Sequence, residues 1–183
     1  MVMPKELEKG LYMDYSKELV DAIDIFLNPE IEKYHFHPDT GKFDPYIINV
    51  WVEDEYAPGN EYFAYALSVR FSLQDHGFTV EAELPWAVKK KRRGRLREWI
   101  NQQNETISEM SYSLAEGDYR VRLTHFVAVE KGMENAEMVS AEYELVILEV
   151  AMNSMILADL TTGEVFPSQI HKVPMDRPSI HLQ

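Results

Sequence analysis

The sequence predicts an α+β fold in which an antiparallel β-sheet built from hairpins carries helices packed on one face, in the order α-β-β-β-β-α-β-β-α. Three observations predict it. Apolar residues recur with a period of two over several consecutive stretches and with helical spacing in three others. Turn-forming stretches such as Pro38-Asp39-Thr40-Gly41, Gln74-Asp75-His76-Gly77 and Glu116-Gly117-Asp118 separate neighbouring strands. With 183 residues and 45% hydrophobic content, the chain suits one compact domain around one core. We place that domain at 1–165 and an extended tail, marked by Pro167, Pro174 and Pro178, at 166–183.

The first helix is expected from about Asp14 to Leu27, where Leu19, Ile23, Phe26 and Leu27 share a face and Asn28-Pro29 stops it. From Ile31 the period becomes two, with Tyr34 and Phe36 alternating against Lys33, His35 and His37. A hairpin to Tyr46–Glu53 follows, with Ile48, Val50 and Val52 on one face and Ile47 and Trp51 on the other. The clearest alternation sets Tyr65, Leu67, Val69, Phe71 and Leu73 against Ala66, Ser68, Arg70 and Ser72. Phe78, Val80, Ala82 and Leu84 continue it in a second strand that Pro85 is expected to end.

A middle helix is expected over about Arg92–Ile107, with Leu96, Trp99, Ile100 and Gln103 on one side. A hairpin of Met110–Leu114 with Tyr119–Val127 comes next. Ser140 is the expected cap of a last helix running to about Leu160, with Glu142 and Glu144 in its first turn and Gly163 closing it. Leu145, Val146, Ile147, Leu148, Val150, Met152, Met155, Ile156 and Leu157 leave that helix almost no polar face, so it must be covered on more than one side. A sheet can cover one; another helix or a second copy of the chain must cover the other.

Charge is unevenly distributed. Seven of the eighteen Lys and Arg residues lie within nine positions, Lys89, Lys90, Lys91, Arg92, Arg93, Arg95 and Arg97, while the net charge is −13. Without that run, eleven basic residues face thirty-one acidic ones, a balance of −20. Such segregation suggests a contact surface, with a merely solvated linker as the alternative. A body this acidic repels phosphates outside the short patch, so docking to an acidic protein surface, including that of a second subunit, is expected ahead of nucleic-acid binding. The absence of cysteine excludes disulfides, thiol nucleophiles and thiolate metal sites. Charges in MVMPKELEKGLYMDYSKEL interrupt any signal-like apolar stretch, and no run of about 18 apolar residues suggests a membrane span. A soluble, cytoplasmic protein is expected.

Glu83-Leu84-Pro85, the basic linker, the helix Leu96-Arg97-Glu98-Trp99-Ile100-Asn101-Gln102-Gln103-Asn104 with its spaced asparagines, a β-hairpin and a long final helix together resemble the YbjN family. The resemblance covers roughly residues 61–160. It implies the type III secretion chaperone-like fold, a twisted antiparallel sheet backed by helices that often dimerises. It also implies chaperone-like or regulatory roles without established catalytic residues. The secretion-chaperone pattern has about three strands before the middle helix where four are expected here, and the proline-bearing tail is additional.

Other candidate sites are local. His35 and His37 share a strand face and Asp39 could add an oxygen, which permits a divalent metal site and hence a small metal-dependent enzyme as an alternative. His125 interrupts the apolar face of Tyr119, Val121, Leu123 and Val127, and a hydrogen-bonded core histidine is the expected reading. Arg70, Arg120 and Arg122 share the polar sides of the strands with Glu81 and Glu83, giving either ordinary cross-strand pairs or a charged face for a client segment. No nucleophile elbow, phosphate loop or dinucleotide fingerprint occurs. The function expected is a non-enzymatic protein-interaction or chaperone-like module. It needs no cofactor, forms a homodimer, takes a protein client and contacts no membrane; nucleic-acid binding through residues 89–97 is a further alternative.

Overall fold

A computed structural model describes residues 16–27, 35–53, 62–107 and 109–163. The elements are α1 (Lys17–Leu27), β1 (Phe36–His37), β2 (Lys42–Phe43), β3 (Tyr46–Glu53), β4 (Tyr62–Gln74) and β5 (Gly77–Ala87). They continue with a 3-10 turn over Lys90–Arg92, α2 (Arg93–Thr106), β6 (Met110–Leu114), β7 (Arg120–Ala128) and α3 (Ala136–Thr162). The fold is α+β, with a seven-stranded antiparallel sheet and the helices against one face. The expected tail and residues 31–34 of the first expected strand lie outside the described residues.

The sheet runs β1-β2-β4-β5-β7-β6, with β3 beside β4. Five strands precede the middle helix instead of four, because Lys42-Phe43 forms a strand of its own. β2 pairs with β1 and meets β4 at Ser72, while β3 runs along the rest of the same edge of β4. Pro45 lies between β2 and β3, where an N–H is missing from the ladder. The first hairpin therefore joins β1 to β2, and β3 takes β4 as its partner. β5 also continues past Pro85, at the cost of a register shift between Glu83 and Ala87.

One sheet face is the core. Leu67, Val69 and Phe71 of β4, Phe78, Val80 and Ala82 of β5, and Val121 and Leu123 of β7 are fully buried. Tyr143 of α3 meets Phe71 and Tyr46, and Phe26 of α1 packs against both Tyr143 and Phe71. On the far face the aligned residues are polar apart from the exposed Ile47 at the β3 end: Ile47, Ser68, Glu83, Arg122 and Ser113 form one row, and Arg70, Glu81, Thr124 and Ser111 the next. This two-sidedness is what the period-two pattern encodes.

The last helix starts earlier than Ser140. Asn135 is the cap, its side-chain oxygen accepting from the Met138 N–H at 2.8 Å, and Glu137 supplies the first-turn charge. Gly163 ends α3 in the left-handed conformation at φ 81°. Among the described residues α3 is the one helix long and apolar enough to cross a membrane. Here it packs on β5, β7 and β3 with α1 and α2 beside it.

Candidate functional site

Two features meet along α3: an apolar stripe that no described element covers, and the basic run anchored at its C-terminal end. Val139, Val146, Val150, Leu157 and Ala158 face the sheet and are fully buried. On the opposite side Leu145, Leu148, Met152 and Ile156 are 46%, 40%, 71% and 49% exposed. Ala141, Leu145, Leu148, Met152 and Met155 recur at alternating four- and three-residue steps, which keeps them on one line along the helix, and Ile156 lies beside Met155 at its end. Monomeric soluble proteins rarely leave so continuous an apolar strip open to water. A groove between α2 and α3, lined by Arg95, Glu98, Trp99, Gln102, Met155 and Ile156, continues it sideways.

The basic run does two separate jobs. Arg92 donates to the Asp159 backbone carbonyl at 2.7 Å and lies 3.8 Å from the Asp159 carboxylate, while the Lys89 N–H reaches the Thr161 carbonyl at 3.3 Å. The Asp159 carbonyl also accepts from the Gly163 N–H at 2.8 Å, so Arg92 adds a second donor there, and its charge answers the negative end of the helix dipole. Gly163 lies so close to the Arg92 guanidinium that any Cβ there would collide with it. Arg93 sits over the Tyr119 ring at 3.2 Å from its centroid. Tyr119 has φ 56°, unusual for a side-chain-bearing residue, and the Val88 N–H holds its carbonyl at 3.0 Å. Arg92 and Arg93 thus bolt the run to α3 and to the β6–β7 turn. Arg95 is mostly exposed, 4.0 Å from Asp159, and Lys89, Lys90, Lys91 and Arg97 are exposed.

The polar sheet face is tied together internally. Arg122 donates to Glu83 at 2.7 Å and lies 4.0 Å from Glu81; Arg120 donates to Glu83 at 3.2 Å and lies 3.5 Å from Asp118. Burial works against the charged Arg122 guanidinium, but the Glu83 hydrogen bond and the neighbouring carboxylates outweigh it and raise its pKa above the ordinary value. Arg70 stands directly opposite Glu81 in the β4–β5 register.

Two histidines, His37 and His125, are also occupied. His37 is 2.7 Å from the Asp44 carboxylate, and that hydrogen bond holds the Asp44 carboxyl below the usual aspartate range. His35, His37 and Asp39 do not gather: among the described residues no three His, Asp or Glu side chains form a metal-holding group. His125 is 3% exposed, with Nδ1 at 2.9 Å from the Glu109 carbonyl and Nε2 at 2.8 Å from Glu142, so it joins β7, the start of β6 and α3. Tyr112 donates to Glu149, and burial, reinforced by the Glu149 charge, pushes its phenol well above the ordinary range.

Three structural roles had no counterpart in the sequence reading. Asn104 clasps the outer edge of β6: its amide donates to the Tyr112 carbonyl at 2.9 Å and its oxygen accepts from the Tyr112 N–H at 2.7 Å. The Arg92 cap and the outward orientation of the α3 stripe are the others. The stripe's spacing is readable in the sequence, but a helix apolar on every side does not declare which side remains uncovered.

The chain matches no protein-family model, and no curated protein matches its sequence.

Proposed function

We propose that this chain is a non-enzymatic, chaperone-like protein-interaction module of the YbjN type, acting in the cytoplasm, which holds another polypeptide against the outer face of α3. The stripe of Leu145, Leu148, Met152 and Ile156, exposed among the described residues, is the observation that carries the reading. Burying one such side chain is worth roughly 1.5–3 kcal/mol, so a partner along the stripe would be held mainly by apolar contact. The charged sheet face is a weaker candidate for a client, because Arg120 and Arg122 are each already held by Glu83. The 61–160 resemblance in element order supports the same class.

Nucleic-acid binding fits less well. Arg92 and Arg93 are committed to α3 and Tyr119, which reduces the cations that could reach phosphates.

The test is photo-crosslinking with benzoylphenylalanine in place of Leu148, and in place of Ser111 on the open sheet face as a control. Irradiation in the native extract should give covalent protein adducts at position 148 in excess of those at 111. Equal labelling at both positions, or none at 148, contradicts the proposal.

A further inference from the structure

We propose that the occupant of the α3 stripe is a second copy of this chain, packed antiparallel across a two-fold axis near Val150; the inference rests on the interaction-module reading above. The stripe has the spacing of a helix–helix seam. Its members alternate by three and four residues from Ala141 to Met155, the spacing by which two helices interlock side by side. A two-fold places the same patch on both subunits. At 27 residues α3 is about 40 Å long, enough for a continuous helix–helix seam.

Charge selects the direction. α3 contains no Lys or Arg. Its N-terminal half carries the exposed Glu137 and Glu144 beside the stripe, whereas its C-terminal end is collared by Arg92, Arg95 and the exposed Lys89, Lys90 and Lys91. Parallel packing would set acid against acid at one end and cation against cation at the other. Antiparallel packing sets each basic collar against the acidic half of the other helix, and complementary potentials of this kind fix orientation. With the axis near Val150, Leu148 meets Met152 of the partner subunit and Leu145 meets Met155 of the partner subunit. Glu137 then falls level with the partner's basic collar.

This arrangement gives the basic run an external use that its internal bonds leave open. Arg92 and Arg93 fix the collar to the fold, and Lys89, Lys90 and Lys91 project from it.

Sedimentation velocity of the purified full-length chain over a range of concentrations tests the association. A reversible dimer is expected, weakened about tenfold or more by Leu148→Glu, which sets a carboxylate against Met152 of the partner subunit on each side of the axis. Far-UV circular dichroism of that variant should be unchanged, since Leu148 lies outside the core. Reversing Lys89, Lys90 and Lys91 to Glu should also weaken the dimer, and adding Glu137→Lys with Glu144→Lys should restore it. The chain has no cysteine, so orientation is read by disulfide formation. Mixing Leu145→Cys chains with Met155→Cys chains should give the mixed disulfide, with little homodisulfide from Leu145→Cys alone. A monomer at every concentration, a dimer indifferent to Leu148→Glu, or ready homodisulfide at Leu145→Cys overturns the proposal. Should the pure chain be monomeric while position 148 still crosslinks to other proteins in extract, the second copy falls and the interaction-module reading stands. Absence of both removes the two together.

Discussion

Arg92 stands in a run of seven cations, yet its neighbours give it a task that Lys89, Lys90 and Lys91 do not share. Its guanidinium closes the C-terminal end of α3 through the Asp159 carbonyl and packs against Gly163. Replacing Arg92 by Ala should therefore cost about 1–2 kcal/mol of stability in chemical denaturation, the sum of a charge-assisted bond and a favourable dipole contact. Changing the three lysines to Gln should leave stability within about 0.5 kcal/mol, as for exposed positions elsewhere, while weakening association. Equal losses for the two variants would contradict this division. The run was visible in the sequence as an anomaly, but its division was not, because Arg92 and Asp159 are far apart in the chain. His125 follows the same logic. Its misfit in an apolar pattern announced a buried histidine, whereas Glu109 and Glu142 could be named only once β6, β7 and α3 had been brought together.

The elements themselves were largely legible where burial is one-sided. β4, β5 and β7 each alternate because one face lies under helices and the other meets water, so the period survives in the residues. Short or interrupted pieces were harder. β2 is two residues long, too short for any period, and exists because Phe36–His37 and Ser72 flank it. Ser140 and Asn135 are both good caps by residue type, and only the extended backbone at Asn135 decides that α3 starts there. The edge strand β6 shows how a helix can guard a sheet. Asn104 of α2 occupies the outward N–H and C=O of Tyr112, which would otherwise be open to pairing with another strand. Asn104→Ala should cost about 1–2 kcal/mol, and the Tyr112 amide should exchange with solvent markedly faster than in the parent. An unchanged exchange rate at Tyr112 would show that the clasp does not protect the edge.

On the scale of the whole molecule, the fold divides its polar chemistry from its apolar surplus. Arg122 and Glu83 on the sheet face, the buried histidine and the β6 edge find partners within the chain, while no described residue covers the apolar outer side of α3. The sequence showed that this helix needed covering on two sides. Which residues remain outside depends on how α1, α2 and the sheet pack around it, and that is a property of the assembled fold. The central claim is that protein covers the stripe. Met152, the most exposed of its members, offers a direct reading through the rate at which its thioether is oxidised by dilute peroxide. Met152 should oxidise rapidly in dilute Leu148→Glu protein and become protected in the parent as concentration rises or native extract is added. Oxidation of Met152 at the same fast rate in all of these conditions would contradict it.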